Sequence, residues 1–262
     1  MDWLLYLLVG SFAGVLAGLF GVGGGAIIVP ILIVIFSLQG FAEQSLVHLA
    51  VGTSFATIVI TSASSIHAHH KLGNILWPVV SLMAPGLMLG VVLGSIVASG
   101  VAGTQLQLAI AVFLMLVAVQ MFSGLQPPAA FGLPGAFGLA TAGGVIGGAS
   151  AFFGIGGGSL TVPFLSAARA SMHNAVATSA ACGFPIALLG ALTYGYQGLK
   201  VEGLPAFSSG YIYWPAFAGI AIASMPCAKL GAKLAMKLPE KILKRSFALL
   251  LFGIGFQLLR SS

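Results

Sequence analysis

Two stretches decide the fold of this chain: GLFGVGGGAIIVPIL at residues 18–32 and AFFGIGGGSLTVPFL at residues 151–165. Each contains a glycine, one apolar residue and three consecutive glycines, and a proline follows five residues after the last glycine. Each glycine weakens a helix by about 1 kcal/mol, and a proline removes a backbone hydrogen-bond donor. The pattern therefore predicts a broken helix at both places, marked by Gly21, Pro30, Gly154 and Pro163.

The composition predicts that both breaks lie inside a membrane. The chain has 262 residues, of which 59% are hydrophobic and only 5% are charged, and its mean hydropathy is +1.11. A soluble domain carries about 25% charged residues. We therefore predict an all-α polytopic membrane protein. The basic residues concentrate within 229–245, so the net charge of +6 indicates membrane orientation and not nucleic-acid binding.

Eight apolar segments are candidates for crossing the bilayer, which takes about 20 helical residues. They run over 3–38, 46–67, 77–99, 105–123, 132–168, 173–198, 211–236 and 245–260. The two segments with the glycine motif are too long for one ordinary helix and short for two. Each is either a tilted, broken helix or a tight helical hairpin, so the sequence predicts eight to ten membrane helices.

The two halves of the chain match each other beyond the glycines. His48-Leu-Ala-Val-Gly-Thr-Ser54 parallels His173-Asn-Ala-Val-Ala-Thr-Ser179, and Trp77-Pro78 parallels Trp214-Pro215. Landmarks repeated in the same order indicate duplication of one unit. We expect a first repeat at 1–123, a linker at 124–134 and a second repeat at 135–262, together forming one membrane domain.

The basic residues favour repeats that are inverted in the membrane. The Lys and Arg cluster at 233–245 should face the cytoplasm. Counting back along the segments then puts Arg169 inside, and an inverted first half puts Lys71 inside and Glu43 outside. Inversion requires the glycine segments to be hairpins, which gives ten helices. A single crossing by each glycine segment would instead give eight helices and parallel repeats.

Broken helices at membrane depth predict a binding site for an anion. In transporters built from inverted repeats, the amino-terminal ends of half-helices point at anionic substrates. Backbone amides of the glycines and nearby hydroxyls would then bind the substrate, and the second copy is more polar because Ser159 and Thr161 replace Ala26 and Ile28. The predicted substrate-binding residues are Gly23, Gly24, Gly25, Thr53, Ser54, Gly156, Gly157, Gly158, Ser159, Asn174, Thr178 and Ser179.

Other chemistries lack their usual residues. The stretch GVGGGA fits a loose dinucleotide fingerprint, but the strand and the acidic residue that such a site needs are missing. No Ser-His-Asp pattern or metal-binding motif is found, and His67, His69 and His70 stand beside Lys71 at a predicted helix end. We therefore expect no enzyme activity, no catalytic residues, no metal and no cofactor.

The doubled Gly-x-Gly-Gly-Gly-x4-Pro motif in an all-helical chain of this length resembles the TauE/SafE family of sulfite exporters. The resemblance covers the whole chain. It implies a bacterial inner-membrane transporter that exports small sulfur-containing anions such as sulfite, sulfonates or sulfoacetate. The family motif falls on Gly21, Gly23, Gly24, Gly25 and Pro30, and on Gly154, Gly156, Gly157, Gly158 and Pro163.

Two further interpretations stay open from the sequence: a passive small-anion channel and an importer of a related organic anion. An inside-negative membrane potential drives anions outward, at about 2.3 kcal/mol per charge per 100 mV, so an exporter needs no proton relay. We expect the partners to be a small anion and the lipid bilayer, with no nucleic acid. The sequence leaves association into a homo-oligomer open.

Overall fold

The computed structural model describes residues 2–20, 24–123, 132–235 and 240–261. These residues form ten helices and one short antiparallel β-hairpin. The first half contains α1 (Asp2–Phe20), α2 (Gly25–Leu38), α3 (Glu43–Lys71), α4 (Trp77–Ser99) and α5 (Gly103–Ser123). The second half contains α6 (Ala136–Phe153), α7 (Gly158–Ala167), α8 (Met172–Gly198), β1 (Ser208–Ser209), β2 (Ile212–Tyr213), α9 (Trp214–Ala235) and α10 (Glu240–Ser261).

The prediction of an all-α polytopic membrane protein is confirmed. Five of the described helices, α3, α4, α5, α6 and α8, contain a stretch long and apolar enough to cross a membrane. Each glycine segment is interrupted, since the first consists of two helices, α1 and α2, and the second consists of α6 and α7. Most of the predicted linker, residues 124–131, lies outside the described residues.

The first glycine segment is a hairpin and not a straight broken helix. The hydroxyl of Tyr6, near the start of α1, donates a hydrogen bond of 2.9 Å to Oε1 of Gln39, which directly follows α2. The start of α1 and the end of α2 therefore lie side by side. Helices α1 and α2 therefore run in opposite directions, and Gly24 directly precedes α2.

The long helices α3 and α8 pack antiparallel at the centre of the molecule. A methyl group added at Gly52 of α3 would touch Cβ of Tyr194 in α8 at 3.2 Å, and one added at Gly190 would meet the ring of Phe55 at 2.8 Å. As the residue number rises along α3, it therefore falls along α8. The short helices α2 and α7 pack against these two long helices.

The outer helices α5 and α10 are antiparallel as well. Nε2 of Gln107, near the start of α5, donates a hydrogen bond of 3.1 Å to the carbonyl of Leu258, near the end of α10. Further along α5, the carbonyl oxygen of Ala111 lies 3.1 Å from the position of a methyl group added at Gly255. Both pairs of helices that occupy matching places in the two halves thus run in opposite directions.

The first helix of each half packs on the Trp-Pro helix of the other half. Helix α4 approaches α6 through Gly86, Gly90 and Gly94, whose missing side chains leave room for the backbone of residues 140–148. Helix α1 approaches α9 in the same way, with Gly10 against Ile220. Small residues let membrane helices come this close, and the resulting van der Waals contact holds them together.

Candidate functional site

A glycine in the left-handed backbone region begins each short helix. Gly24 precedes α2 with φ 76° and Gly157 precedes α7 with φ 75°. Gly154, which ends α6, has φ 63°. Only glycine adopts such values without a steric penalty, so the glycines make the turns. Gly21 and Gly23 lie outside the described residues.

The prolines of the motif lie beyond the turns. Pro30 and Pro163 are inside α2 and α7, five residues after the first residue of each helix. Proline lacks the backbone amide that would otherwise donate a hydrogen bond to a carbonyl in the first turn. Each proline therefore weakens its helix in the first turns after the start. The turn itself depends on glycine.

The two glycine turns meet in the interior. A methyl group added at Gly25 would lie 2.7 Å from the carbonyl oxygen of Gly154 and 3.0 Å from Cα of Ile155. Gly24, Gly25 and residues 154–158 are all buried. The backbones of the two motifs are therefore in direct contact, with no side chain between them at this point.

The contact lies near the middle of both long helices. The side chain of Ile58, close to the middle of α3, packs against Gly25 and Gly156. Gly183 lies close to the middle of α8. A methyl group added there would lie 2.6 Å from the carbonyl oxygen of Gly156, so the absence of a side chain lets this carbonyl approach. Since α3 and α8 are both long and apolar enough to cross the bilayer, we expect the glycine turns near their middles to lie at mid-membrane depth.

Two of the predicted substrate-binding hydroxyls accept hydrogen bonds from the backbone of the opposite half of the molecule. Oγ1 of Thr53 accepts a hydrogen bond of 3.0 Å from the backbone amide of Tyr213, directly before α9. Oγ1 of Thr178 accepts one of 3.0 Å from the amide of Leu76, directly before α4. The two bonds are equivalent, and both hydroxyls keep a proton with which they can donate.

The two matched serines differ from each other. The Ser54 hydroxyl donates a hydrogen bond of 2.9 Å to the carbonyl of Gly154, so it ties α3 to the second glycine turn. The Ser179 hydroxyl is fully buried and has no hydrogen-bond partner among the described residues. Ser179 stands one helical turn before Gly183, which packs on the second glycine turn.

The remaining predicted residues lie at different depths. Ser159 is half-buried in the first turn of α7, beside Gly158. Asn174 is in the first turn of α8, where its backbone amide donates a hydrogen bond to the Ser171 cap. The structure therefore brings Ser159 to the glycine turns and leaves Asn174 near one end of the bundle.

The histidines lie away from the glycine turns. His48 is buried near the start of α3, with Nε2 3.2 Å from the carbonyl of Ala98 and its ring stacked on Tyr211. His173 is exposed. His70 accepts a hydrogen bond of 3.2 Å from the indole of Trp77. Among the described residues, no group of three or more His, Cys, Asp or Glu could hold a metal ion.

Two residues beside the second glycine turn are absent from the predicted substrate-binding residues. Thr161 and Ser150 are fully buried, and their hydroxyls have no hydrogen-bond partner in the described part of the chain. The signal for Thr161 was present, because the first copy of the motif has Ile28 at that place. Ser150 carries no such signal, since it lies outside the motif.

A polar cavity of about 400 Å³ opens at the far end of α2 from the glycines. It lies between α2, α3, α5 and α10. The polar side chains that line it are Ser37, Glu43, Thr104, Gln107 and Gln257. The cavity does not include the glycine turns.

Residues 6–258 match the protein family described as "Sulfite exporter TauE/SafE". A "Probable membrane transporter protein" of Haemophilus influenzae is 39% identical over 97% of this chain and 97% of its own length. Proteins given the same description are 31% identical in Methanocaldococcus jannaschii, over 97% of this chain and 94% of that protein, and 25% identical in Bacillus subtilis, over 99% and 98%. No solved structure gives a significant match.

Proposed function

The chain belongs to the TauE/SafE family of membrane transporters, and we propose that it exports small sulfur-containing anions across the bacterial inner membrane. Sulfite, sulfonates and sulfoacetate are the proposed substrates. The family description names sulfite, whereas the names of the relatives give no substrate. The proposal is therefore a transporter and not an enzyme, with the substrate held at the glycine turns.

One observation carries this proposal: two helices begin at glycines in the buried interior, and the glycine turns before them touch where Gly25 meets the backbone of Gly154 and Ile155. The first amides of a helix have no partner within the helix, and the helix dipole makes this end positive. Helices α2 and α7 both present such an end, at Gly25 and Gly158. Anions are the ligands that helix amino-termini bind.

The distribution of charge supports an anion over a cation. The four carboxylates of the sequence, Asp2, Glu43, Glu202 and Glu240, are all far along the chain from the glycine turns. Glu43 begins α3 and lines the cavity at the far end of α2. A cation at mid-membrane depth would need a carboxylate nearby, because burial of an unpaired charge is expensive.

The direction of the helices supports inverted repeats. If the two halves were parallel, matching helices would run in the same direction. The matching helices α3 and α8 are antiparallel at Gly52 and Tyr194, and α5 and α10 are antiparallel at Gln107 and Leu258. We therefore infer that the two glycine hairpins enter from opposite faces and meet at their tips. This arrangement suits alternating access to a central site.

The contact between the two tips implies movement during transport. Gly25 and Gly154 leave no space for an oxyanion between them at their point of contact. The substrate must therefore separate the tips, or bind beside them, before it passes. A transporter of this kind shows saturation and counterflow, which a continuously open channel does not.

Flux of sulfite and sulfoacetate in proteoliposomes tests the proposal. We expect saturable flux that shows counterflow, driven outward by an inside-negative potential. Absence of flux for both anions would refute the substrate class. Flux without saturation or counterflow would favour a passive channel, and flux only in the inward direction would favour an importer.

Gly157→Ala links this flux to the glycine turns. The change places a methyl group 2.6 Å from Cδ1 of Ile186 and forces alanine into φ 75°, so we expect at least a tenfold loss of flux. The control is Gly73→Ala, which has a similar φ of 70° but open space around it. Equal flux in the two variants would show that the glycine turn is not part of the substrate site.

A further inference from the structure

The Thr161 hydroxyl is an unsatisfied donor in the interior of the protein. Other threonines of the bundle bond back to their own helix, as Thr57 does to the carbonyl of Thr53 at 2.9 Å and Thr193 to that of Leu189 at 2.7 Å. Thr161 is 0% exposed, and its Oγ1 has no such bond or any other within the described residues. Leaving a buried hydroxyl without a partner is unfavourable, because the hydroxyl loses its hydrogen bonds to water and gains none.

This hydroxyl points at the start of α7. Its Oγ1 lies 3.4 Å from the position of a methyl group on Gly157, the residue that caps the helix. The Thr161 amide already bonds to the Gly157 carbonyl at 2.7 Å, and helical side chains lean towards the amino-terminal end. The hydroxyl therefore lies over the first turn, where the amides of Gly158 and Ser159 have no partner within the helix.

A second unsatisfied hydroxyl, that of Ser150, belongs to helix α6, which contacts Gly157 through Ile146. A methyl group added at Gly157 would lie 3.8 Å from Cγ2 of Ile146 in α6. Ser150 stands one turn further along the same face of α6. Its Oγ is fully buried and has no partner in the described part of the chain. Ser150 therefore lies on the face of α6 that includes Ile146, which contacts the Gly157 cap of α7.

Among the described residues, the three atoms nearest to a methyl group added at Gly24 include no hydroxyl. They belong to the side chains of Ala17 and Ile28 and to the backbone of Ala13. Ile28 occupies the place of Thr161 and is 1% exposed. Gly24 and Gly157 share their backbone geometry, but Ile28 is apolar where Thr161 is polar, so we expect the two helix starts to differ in their affinity for an anion.

We propose that the transported oxyanion binds at the start of α7 only, with the Thr161 hydroxyl donating to one of its oxygens. The Ser150 hydroxyl donates to a second oxygen, and the first amides of α7 donate to the third. A sulfite or sulfonate group has three oxygens, which match these three donors. The inference rests on the proposed function and adds one asymmetric site per chain.

Equilibrium binding of sulfite to the purified full chain tests this site. Thr161→Val keeps the shape of the side chain and removes the hydroxyl, so we expect sulfite affinity to fall about tenfold. Thr161→Ser restores the hydroxyl and should bind within about threefold of the wild type. Ser150→Ala should weaken binding independently of any change at Thr161.

The matched control is Thr57→Val, which removes a buried hydroxyl that already bonds to its own helix. We expect the affinity of this variant to equal that of the wild type. The site would be refuted if Thr161→Val bound sulfite as tightly as the wild type, or if Thr57→Val were weakened as much. If the wild type neither bound nor carried sulfite or sulfoacetate, the proposed function itself would fail, and this site with it.

Discussion

At the scale of single residues, Thr53 and Thr178 show how the two halves are joined. Each hydroxyl accepts a bond from a backbone amide directly before the Trp-Pro helix of the other half, at Tyr213 and at Leu76. An amide at the start of a helix has no partner within it. These threonines therefore cap helices that are more than 100 residues away in sequence.

Thr53→Val and Thr178→Val should each lower the stability of the protein. Each change removes the side-chain acceptor of a part-buried amide, at a cost of about 1 kcal/mol in the free energy of unfolding. Thermal unfolding in detergent measures this loss. The control is Thr193→Val, which removes only a bond within one helix. A Thr53→Val protein as stable as this control would show that the cap contributes little.

The sequence predicted that Thr53 and Thr178 are polar residues at matching depths, but it did not predict the backbone amides that donate to them. The repeated Thr-Ser at Thr53 and Thr178 indicated polar residues at matching depths, and both are buried. Their acceptor role could not be predicted, because it depends on backbone amides of the opposite half. Thr161 was visible only as a difference between the copies, and its lack of a partner depends on three-dimensional packing.

At the scale of helices, packing depends on glycines that face a backbone. Gly90 of α4 has room for hydrogen only, because the carbonyl of Gly144 in α6 lies where a side chain would begin. Membrane helices have no hydrophobic driving force for association, so close contact supplies the attraction. A single methyl group in this interface must push the two helices apart.

Gly90→Ala should therefore reduce the yield of folded protein and lower its thermal stability. We expect a loss of about 1–3 kcal/mol, typical of overpacking, measured by thermal unfolding. Gly253→Ala is the matched control, since Gly253 is also inside a helix and has open space around it. Alanine favours the helix there by about 1 kcal/mol, so this control should be as stable as the wild type or more so. Loss of stability in both variants would contradict the packing argument.

The glycine segments show what a pattern can predict for an element. Three glycines and a proline predicted an interruption, and α1 and α2 are separate helices. The same pattern fits a broken helix and a hairpin. The choice between them depends on contacts between distant residues, here the bond from Tyr6 to Gln39. Local sequence contains no information on that contact.

At the scale of the whole molecule, the inverted arrangement makes a prediction about the two short loops that follow α2 and α7. Glu43 and Arg169 occupy these loops or their edges, and both are exposed. Inverted repeats place the two loops on opposite faces of the membrane. The positive-inside rule puts Arg169 in the cytoplasm and Glu43 outside.

Cysteine labelling in intact cells measures this arrangement. In a background with Cys182 and Cys227 replaced by alanine, Glu43→Cys should react with a membrane-impermeant thiol reagent. Arg169→Cys should react only after the cells are permeabilised. Reaction of both cysteines from the same side would contradict inversion and favour parallel repeats.

The sequence predicted the membrane class and the family with little ambiguity, because both depend on composition and on a motif. The packing of helices from one half against helices of the other half was not predicted. The Trp-Pro landmarks at Trp77 and Trp214 marked equivalent helices, but nothing in a pattern states that α4 packs on α6 and α1 on α9. Such pairings depend on which glycine faces meet in space.

The pairing of α1 with α9 has a consequence for how the chain is made. The ribosome delivers α1 to the membrane first, and its partner α9 follows roughly 200 residues later. At about 5–20 residues per second, the glycine face of α1 waits on the order of 10–40 s for its partner. During that interval, lipid must cover Gly10 and the neighbouring small residues. The last turn of α4 likewise leaves the ribosome before α6 exists, so neither half completes its packing until the other has been synthesised.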